Sequence, residues 1–159
     1  MPLDATQLAK LIEAHAASLQ MWIRNRCASS EDVVQEAFCR LACQEPPPDN
    51  PAAWLYRVCR NLAEKQRLSD GRRRKREQSR AAGEPTPSGA PDANEIAEML
   101  AAVDALDHEL REVVIARIWG QLSLEEIGRL CGVSAATAYR RYEVALKALR
   151  SKLKTKCEH

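Results

Sequence analysis

The residues with the most chemical potential lie near the C-terminus, in Leu122–Arg150 (LSLEEIGRLCGVSAATAYRRYEVALKALR). There Ser134, Thr137, Tyr139, Arg140 and Arg141 set hydroxyls, a phenol and guanidinium groups close together. Hydroxyls and guanidiniums bind phosphate oxygens, and a guanidinium can pair twice with a guanine edge. A second set is Asp32, Gln35, Glu36 and Arg40. At spacings of three and four these become neighbours on a helix. Paired carboxylates suit acid–base catalysis where a cleft raises a pKa, but nothing in this stretch suggests a cleft. The remaining readings are a solvated helix face or a docking face for a basic partner helix. A third set is Arg57, Arg60, Asn61 and Lys65, with Tyr56 and Gln66 beside them. Cations, amides and an aromatic on one helix can hold phosphates and contact unpaired bases. The sequence carries no nucleotide-binding glycine loop, nucleophile–base arrangement or metal-ligand cluster. It therefore predicts binding, with no catalytic residue, no metal and no cofactor.

The elements that must position these groups read as helices throughout. Ser123 and Glu126 have capping-box spacing, so a helix starts at Leu124. Leu124, Ile127 and Leu130 form its apolar face. Gly128 stands where a side chain would hold a second helix away. Gly132 supplies the turn, and Ser134 caps the helix that follows. This is a helix-turn-helix pattern, whose second helix enters the major groove.

Upstream, Leu8, Leu11, Ile12, His15, Leu19, Trp22 and Ile23 recur at helical spacing over Ala5–Arg26. Val34, Phe38 and Leu41 make the inward stripe of a helix at about Glu31–Cys43, with Ala37 beside it. Gln44–Asn50 holds three consecutive prolines and must be a stiff loop. Asn50 then caps a third helix with Pro51 at its first position. Its core candidates are Trp54, Leu55, Val58, Cys59 and Leu62, and Tyr56, Arg57 and Arg60 are expected outside. Gly71 is expected to end it, followed by the basic run RRRKRE. Ala81–Asn94, with three prolines and two glycines, reads as a flexible linker. Two further helices are expected at about Glu95–Leu106 and His108–Trp119.

Length and composition agree. A chain of 159 residues makes one ordinary domain or two small ones. The pattern predicts an all-α protein: two small helical domains, 1–70 and 95–156, joined by a linker at 71–94. The net charge of +2 hides an asymmetry. Residues 1–50 hold seven acids against four bases, whereas Ser134–Lys156 holds seven bases against Glu143. Such halves suggest a protein partner at one surface and a polyanion at another. The absence of a charged-then-apolar leader predicts a cytoplasmic protein without membrane insertion. Of the six cysteines, Cys39 and Cys43 lie one turn apart and could face Cys59. Core packing is the simpler reading; a thiol metal or redox site is the alternative.

The order of these parts resembles the RNA polymerase sigma-70 family. DVVQEAF precedes a loop, NPAAWLYRVCRNLA follows, and LDHELREVVIARIWGQLSLEEIGRLCGVSAATAYRRYEVALKALR closes the chain. The sequence is similar to the minimal extracytoplasmic-function (ECF) type, with only the second and fourth sigma domains, over most of residues 5–153. That resemblance implies an alternative sigma factor that binds core RNA polymerase and directs promoter-specific initiation. It assigns Asp32, Gln35, Glu36 and Arg40 to the polymerase β′ clamp, and Arg57, Arg60, Asn61 and Lys65 to the −10 element. The loop Glu45–Asn50 takes the position of the family's base-capturing loop. Ser134, Thr137, Tyr139, Arg140 and Arg141 fall to the −35 element, and the preceding helices to the β flap. An anti-sigma factor is a common partner in the family. The competing reading is a helix-turn-helix regulator that binds duplex DNA without joining the polymerase.

Overall fold

The computed structural model describes residues 2–76 and 94–157. Residues 77–93, which hold most of the expected linker, lie outside the described residues, as do the side chains of the basic run and of Lys156. The described residues form seven helices.

Helix α1 (Ala5–Ile23) starts at a capping box that sequence reading passed over. The Gln7 amide donates to Asp4 Oδ1 at 2.8 Å, and the Asp4 amide donates to Gln7 Oε1 at 3.2 Å. Leu19, Trp22 and Ile23 are fully buried at its C-terminal end. Helix α2 (Ser30–Cys43) turns Val33, Val34, Ala37, Phe38 and Leu41 inward, as the stripe predicts. Glu31 and Asp32 sit in its first turn, where carboxylates interact favourably with the positive end of the helix dipole.

Helix α3 (Pro51–Arg76) is capped as expected, with the Ala53 amide donating to Asn50 Oδ1 at 3.1 Å. It departs from expectation at Gly71, which the helix passes through. One glycine costs a helix only about 1 kcal/mol, and the arginines that follow are good helix formers. A second correction concerns Tyr56, expected outside but fully buried. Tyr56 shares a stripe with Cys59 and Ala63 at helical spacing, both also fully buried. Its hydroxyl donates to Ser18 Oγ at 3.0 Å, which satisfies the polar tip inside the core. Its ring meets Trp22 edge-on at 5.1 Å.

The second group comprises α4 (Asn94–Asp104), α5 (His108–Ile118), α6 (Leu124–Cys131) and α7 (Ala135–Cys157). Helix α5 is the central piece, with every residue from Arg111 to Ala116 buried. Helix α7 packs on α4, α5 and α6. The capping box before α6 is present: the Glu126 amide donates to Ser123 Oγ at 3.1 Å, and the Ser123 amide to Glu126 Oε2 at 2.8 Å. Gly132 ends α6 at φ 71°. A Cβ on Gly128 would lie 2.7 Å from the Val133 carbonyl oxygen, so only glycine lets the turn fold back this tightly.

The two groups touch. Helix α1 packs on α5, and α3 packs on α6. A Cβ on Gly120 would lie 2.9 Å from the Tyr56 ring. Among the described residues no helix is long and apolar enough to cross a membrane.

Candidate nucleic-acid and partner surfaces

Helix α2 carries Asp32, Gln35, Glu36 and Arg40 on its exposed side, opposite its buried stripe. Arg40 Nε donates to Glu36 Oε1 at 2.8 Å, one helical turn away. Asp32 and Glu31 add further carboxylates near the α2 N-terminus. The result is an acidic ridge supported from beneath by Phe38 and Leu41.

The α3 candidates separate. Arg57, Asn61 and Lys65 fall at successive spacings of four, and all are exposed. Arg60 points elsewhere: its guanidinium donates to the Leu130 carbonyl at the end of α6. Beside Arg57 lies a cavity of about 460 Å³, lined on one side by Pro48, Asp49, Asn50 and Trp54. The loop before α3 therefore borders a real cleft. Glu126, Arg129 and Leu130 of α6 line its opposite side. Sequence reading missed Arg129, an exposed cation in the last turn of α6.

On α7 the early residues form a connected edge. The Thr137 amide donates to Ser134 Oγ at 3.1 Å, which caps the helix as predicted. Ser134 Oγ lies 2.9 Å from Thr137 Oγ1, and Arg140 Nη2 donates to that same oxygen at 3.2 Å. The Arg140 guanidinium is thus held at the helix N-terminal edge. Tyr139 is exposed, and its hydroxyl donates to Glu143 at 2.7 Å. That bond pushes the phenol pKa up, so Tyr139 stays neutral. Arg141 does not join this edge. It is half-buried and pairs with Glu109 of α5 at 3.3 Å.

The cysteines do not gather. Cys39 and Cys43 are exposed on α2, whereas Cys59 is fully buried in α3. The alternative in which the three thiols face one another is not the arrangement observed, because Cys59 belongs to the core stripe with Tyr56 and Ala63. Burial pushes the Cys59 thiol up to about 12 and raises Cys131 and Cys27 as well. Such thiols are poor nucleophiles near neutral pH. Among the described residues no group of three or more His, Cys, Asp or Glu is placed to hold a metal ion.

An acidic ridge, a polar stripe beside a cleft, and a helix-turn-helix edge thus occur in one chain. Family models for Sigma-70 region 2 and Sigma-70 region 4 match residues 6–76 and 96–149. This chain belongs to the RNA polymerase sigma-70 family. Several of its relatives within that family carry the name ECF RNA polymerase sigma factor. The ECF RNA polymerase sigma factor SigL of Mycobacterium tuberculosis is 30% identical over 158 residues, covering 92% of this chain and 89% of SigL. The ECF sigma factor SigE of Mycolicibacterium smegmatis is 32% identical over 136 residues, covering 78% of this chain and 51% of SigE. A probable sigma factor, RfaY of Xanthomonas campestris, is 29% identical, and the match spans 86% of this chain but 37% of RfaY. The sigma fold is also shared with solved structures. RpoE of Bartonella quintana, in complex with the anti-sigma factor NepR, aligns with a TM-score of 0.61 at 22% identity over 92% of this chain and 95% of that one. CnrH, in complex with the cytosolic domain of CnrY, aligns at 0.55 and 21% identity over 96% and 90%. The region 2 match covers the α2 ridge and the α3 stripe, which a simple duplex-binding regulator does not need.

Proposed function

We propose that this sigma factor binds core RNA polymerase through α2 and directs initiation at promoters read by α3 and α7. In this reading the domain boundaries fall at 1–70, 71–94 and 95–156. The observation that carries the proposal is the division of labour among exposed faces. Asp32, Gln35, Glu36 and Arg40 form one ridge, and Arg57, Asn61 and Lys65 another. Ser134, Thr137, Tyr139 and Arg140 form a third.

Each face has a matching chemistry. The α2 ridge suits a basic helix of the polymerase clamp. The α3 stripe offers cations for phosphates and an amide for an unpaired base. The cleft beside Trp54 and Arg57 can receive a base taken out of the stack, where its lost stacking is compensated. On α7, Arg140 is set to pair with a guanine edge, and Ser134 at the helix N-terminus can meet a phosphate. Arg141 braces α7 on α5 in this structure, so its contribution to −35 binding is chiefly to orient the helix. Lys147, Arg150, Lys152 and Lys154 add salt-dependent attraction that does not discriminate sequence. Phosphodiester chemistry belongs to the polymerase, and the sigma factor needs no catalytic group of its own.

Run-off transcription tests the reading. Purified protein is added to bacterial core polymerase on genomic fragments and start sites are mapped. New, protein-dependent starts are expected; none on any fragment overturns it. In a core-polymerase pull-down, Asp32→Arg and Glu36→Arg are each expected to lower retention at least tenfold, with helical circular dichroism unchanged. Wild-type retention by both variants removes α2 from the interface.

A further inference from the structure

Among the described side chains the cysteines divide by exposure. Cys27 and Cys59 are buried, and Cys131 is half-buried. Cys39 and Cys43 are exposed, one helical turn apart on α2. Cysteine is among the residue types most often buried, because its thiol packs as a small apolar group. Core packing therefore accounts for the first three and not for the exposed pair.

The pair has a definite setting. Asp32, Glu36, Cys39 and Cys43 follow one another at spacings of four, three and four. The thiols therefore continue the acidic ridge along the same face of α2. Cys39 also lines a groove of about 360 Å³ between α1 and α2, whose apolar lining includes Leu8, Ile12, Val34 and Phe38. Arg40 Nε donates to Glu36 Oε1 at 2.8 Å, which sets a guanidinium against the carboxylate one turn before Cys39. That pairing offsets the negative charge a thiolate at Cys39 would otherwise meet.

Spacing decides what two such thiols can do together. Helix neighbours four apart have Cβ atoms about 5–6 Å from each other. A disulfide needs about 3.5–4.5 Å between Cβ atoms, so closing one would deform the helix turn. A single metal ion bridges a wider gap. Metal–thiolate bonds are about 2.3 Å long, and two of them in line span about 4.6 Å, within reach of staggered rotamers on adjacent turns. Zinc and iron–sulfur sites call for further protein ligands. Among the described residues no group of three or more His, Cys, Asp or Glu is placed to supply them. Copper(I) is the remaining ion that soft sulfur ligands select, and two thiolates suffice for it.

We propose that Cys39 and Cys43 form a two-thiolate site for one copper(I) ion, and that filling it excludes core RNA polymerase from α2. The second part rests on the α2 docking reading given above. Binding displaces the two thiol protons and leaves a bis-thiolate complex with one net negative charge. No electron moves, because the ion arrives as copper(I). The apolar groove beside Cys39 limits the access of water to one side of the complex. A polymerase helix packed over Gln35 and Glu36 also covers Cys39, one turn further on. It then occupies the space that the bridging ion needs, so ion and polymerase compete. The coupling is reciprocal: copper lowers polymerase affinity by the factor by which polymerase lowers copper affinity.

The test titrates the whole chain, without oxygen, with copper(I) held by bicinchoninate as a coloured competitor. One ion per chain is expected, with two sulfur neighbours by X-ray absorption. Cys39→Ser and Cys43→Ser should each weaken uptake by at least about tenfold. Helical circular dichroism should not change, because both positions are exposed. Wild-type uptake by the variant carrying both substitutions overturns the site, since other thiols then hold the ion. A Cys39–Cys43 disulfide formed on mild oxidation, with no copper uptake by the reduced protein, also overturns it, in favour of a redox pair. Core-polymerase pull-downs then compare the copper-free and loaded protein. Loading is expected to cut wild-type retention by at least about fivefold, while the double variant is retained equally with and without copper. Equal retention of both wild-type forms, with Asp32→Arg still impaired, overturns the exclusion and leaves α2 as the docking face. Wild-type retention of Asp32→Arg and Glu36→Arg overturns the docking reading instead, and the titration still decides the copper site.

Discussion

At the scale of single residues, side-chain chemistry and side-chain direction part company. Arg57 and Arg60 are alike in type and three apart on α3, yet one faces solvent and the other bonds a carbonyl of α6. Arg140 and Arg141 are adjacent, yet one is held by Thr137 at the recognition edge and the other pairs with Glu109. A sequence reports the guanidinium in each case but not the direction it takes. The difference predicts distinct phenotypes on −35 duplex DNA. Arg140→Ala is expected to lose about 1–3 kcal/mol on the preferred sequence and to relax discrimination at one position. Lys147→Ala should weaken binding to all sequences alike and reduce the salt dependence by about one phosphate contact. A titration of both variants over several salt concentrations separates them, and equal effects would remove Arg140 from base readout.

At the scale of elements, most boundaries were legible because the signals are local. Capping boxes, a proline after Asn50 and a glycine after Cys131 act within one turn of the chain. Gly132 at φ 71° and Gly128 beneath the Val133 carbonyl make the α6–α7 turn intolerant of side chains. Gly132→Ala is expected to lower stability by about 1–2 kcal/mol, the cost of a Cβ in left-handed backbone. Ser134→Ala should cost about 1 kcal/mol through the lost cap. Denaturant melts check both, and a neutral Gly132→Ala would mean that the turn can relax. Gly71 was misread for the same local reason, since a glycine stops a helix only when the following residues have somewhere else to go. Tyr56 carries a polar tip, but its place in the Cys59–Ala63 stripe puts the ring in the core. Its partner Ser18 lies 38 residues away, beyond any local pattern.

At the scale of the molecule, the contact between helical groups sets a pH dependence. Burial holds the His108 pKa below the usual histidine value of 6.5, and the Arg26, Arg111 and Arg60 charges act the same way against a weaker pull from Glu109. Glu112 Oε1 also faces the ring, at 3.5 Å from Nε2. With a folded pKa below the unfolded one, the unfolded chain binds the proton more readily. The stabilisation is therefore complete above the unfolded value and is lost as pH falls through the folded one. Melting temperature is expected to drop between about pH 7 and pH 5, the window in which histidine charges. His15, whose pKa is also lowered by burial, contributes with the same sign. His108→Gln should flatten part of the profile and leave the His15 part. An unchanged profile in that variant would place the effect elsewhere.

The sequence by itself determined the seven helices, the binding character of the chain and its family resemblance, because periodicity, caps and motif order are written over short spans. It also placed the α2 ridge and most of the α7 edge correctly, since one helix's buried stripe dictates which face is left for solvent. What only the tertiary structure decided is which of the remaining faces are free. Arg60, Arg141 and Tyr56 have their partners on other helices, and the pairings of Arg24 and Arg26 exist only where the two helical groups meet. Such contacts depend on the relative placement of segments from about 30 to about 80 residues apart, and no local rule encodes those distances.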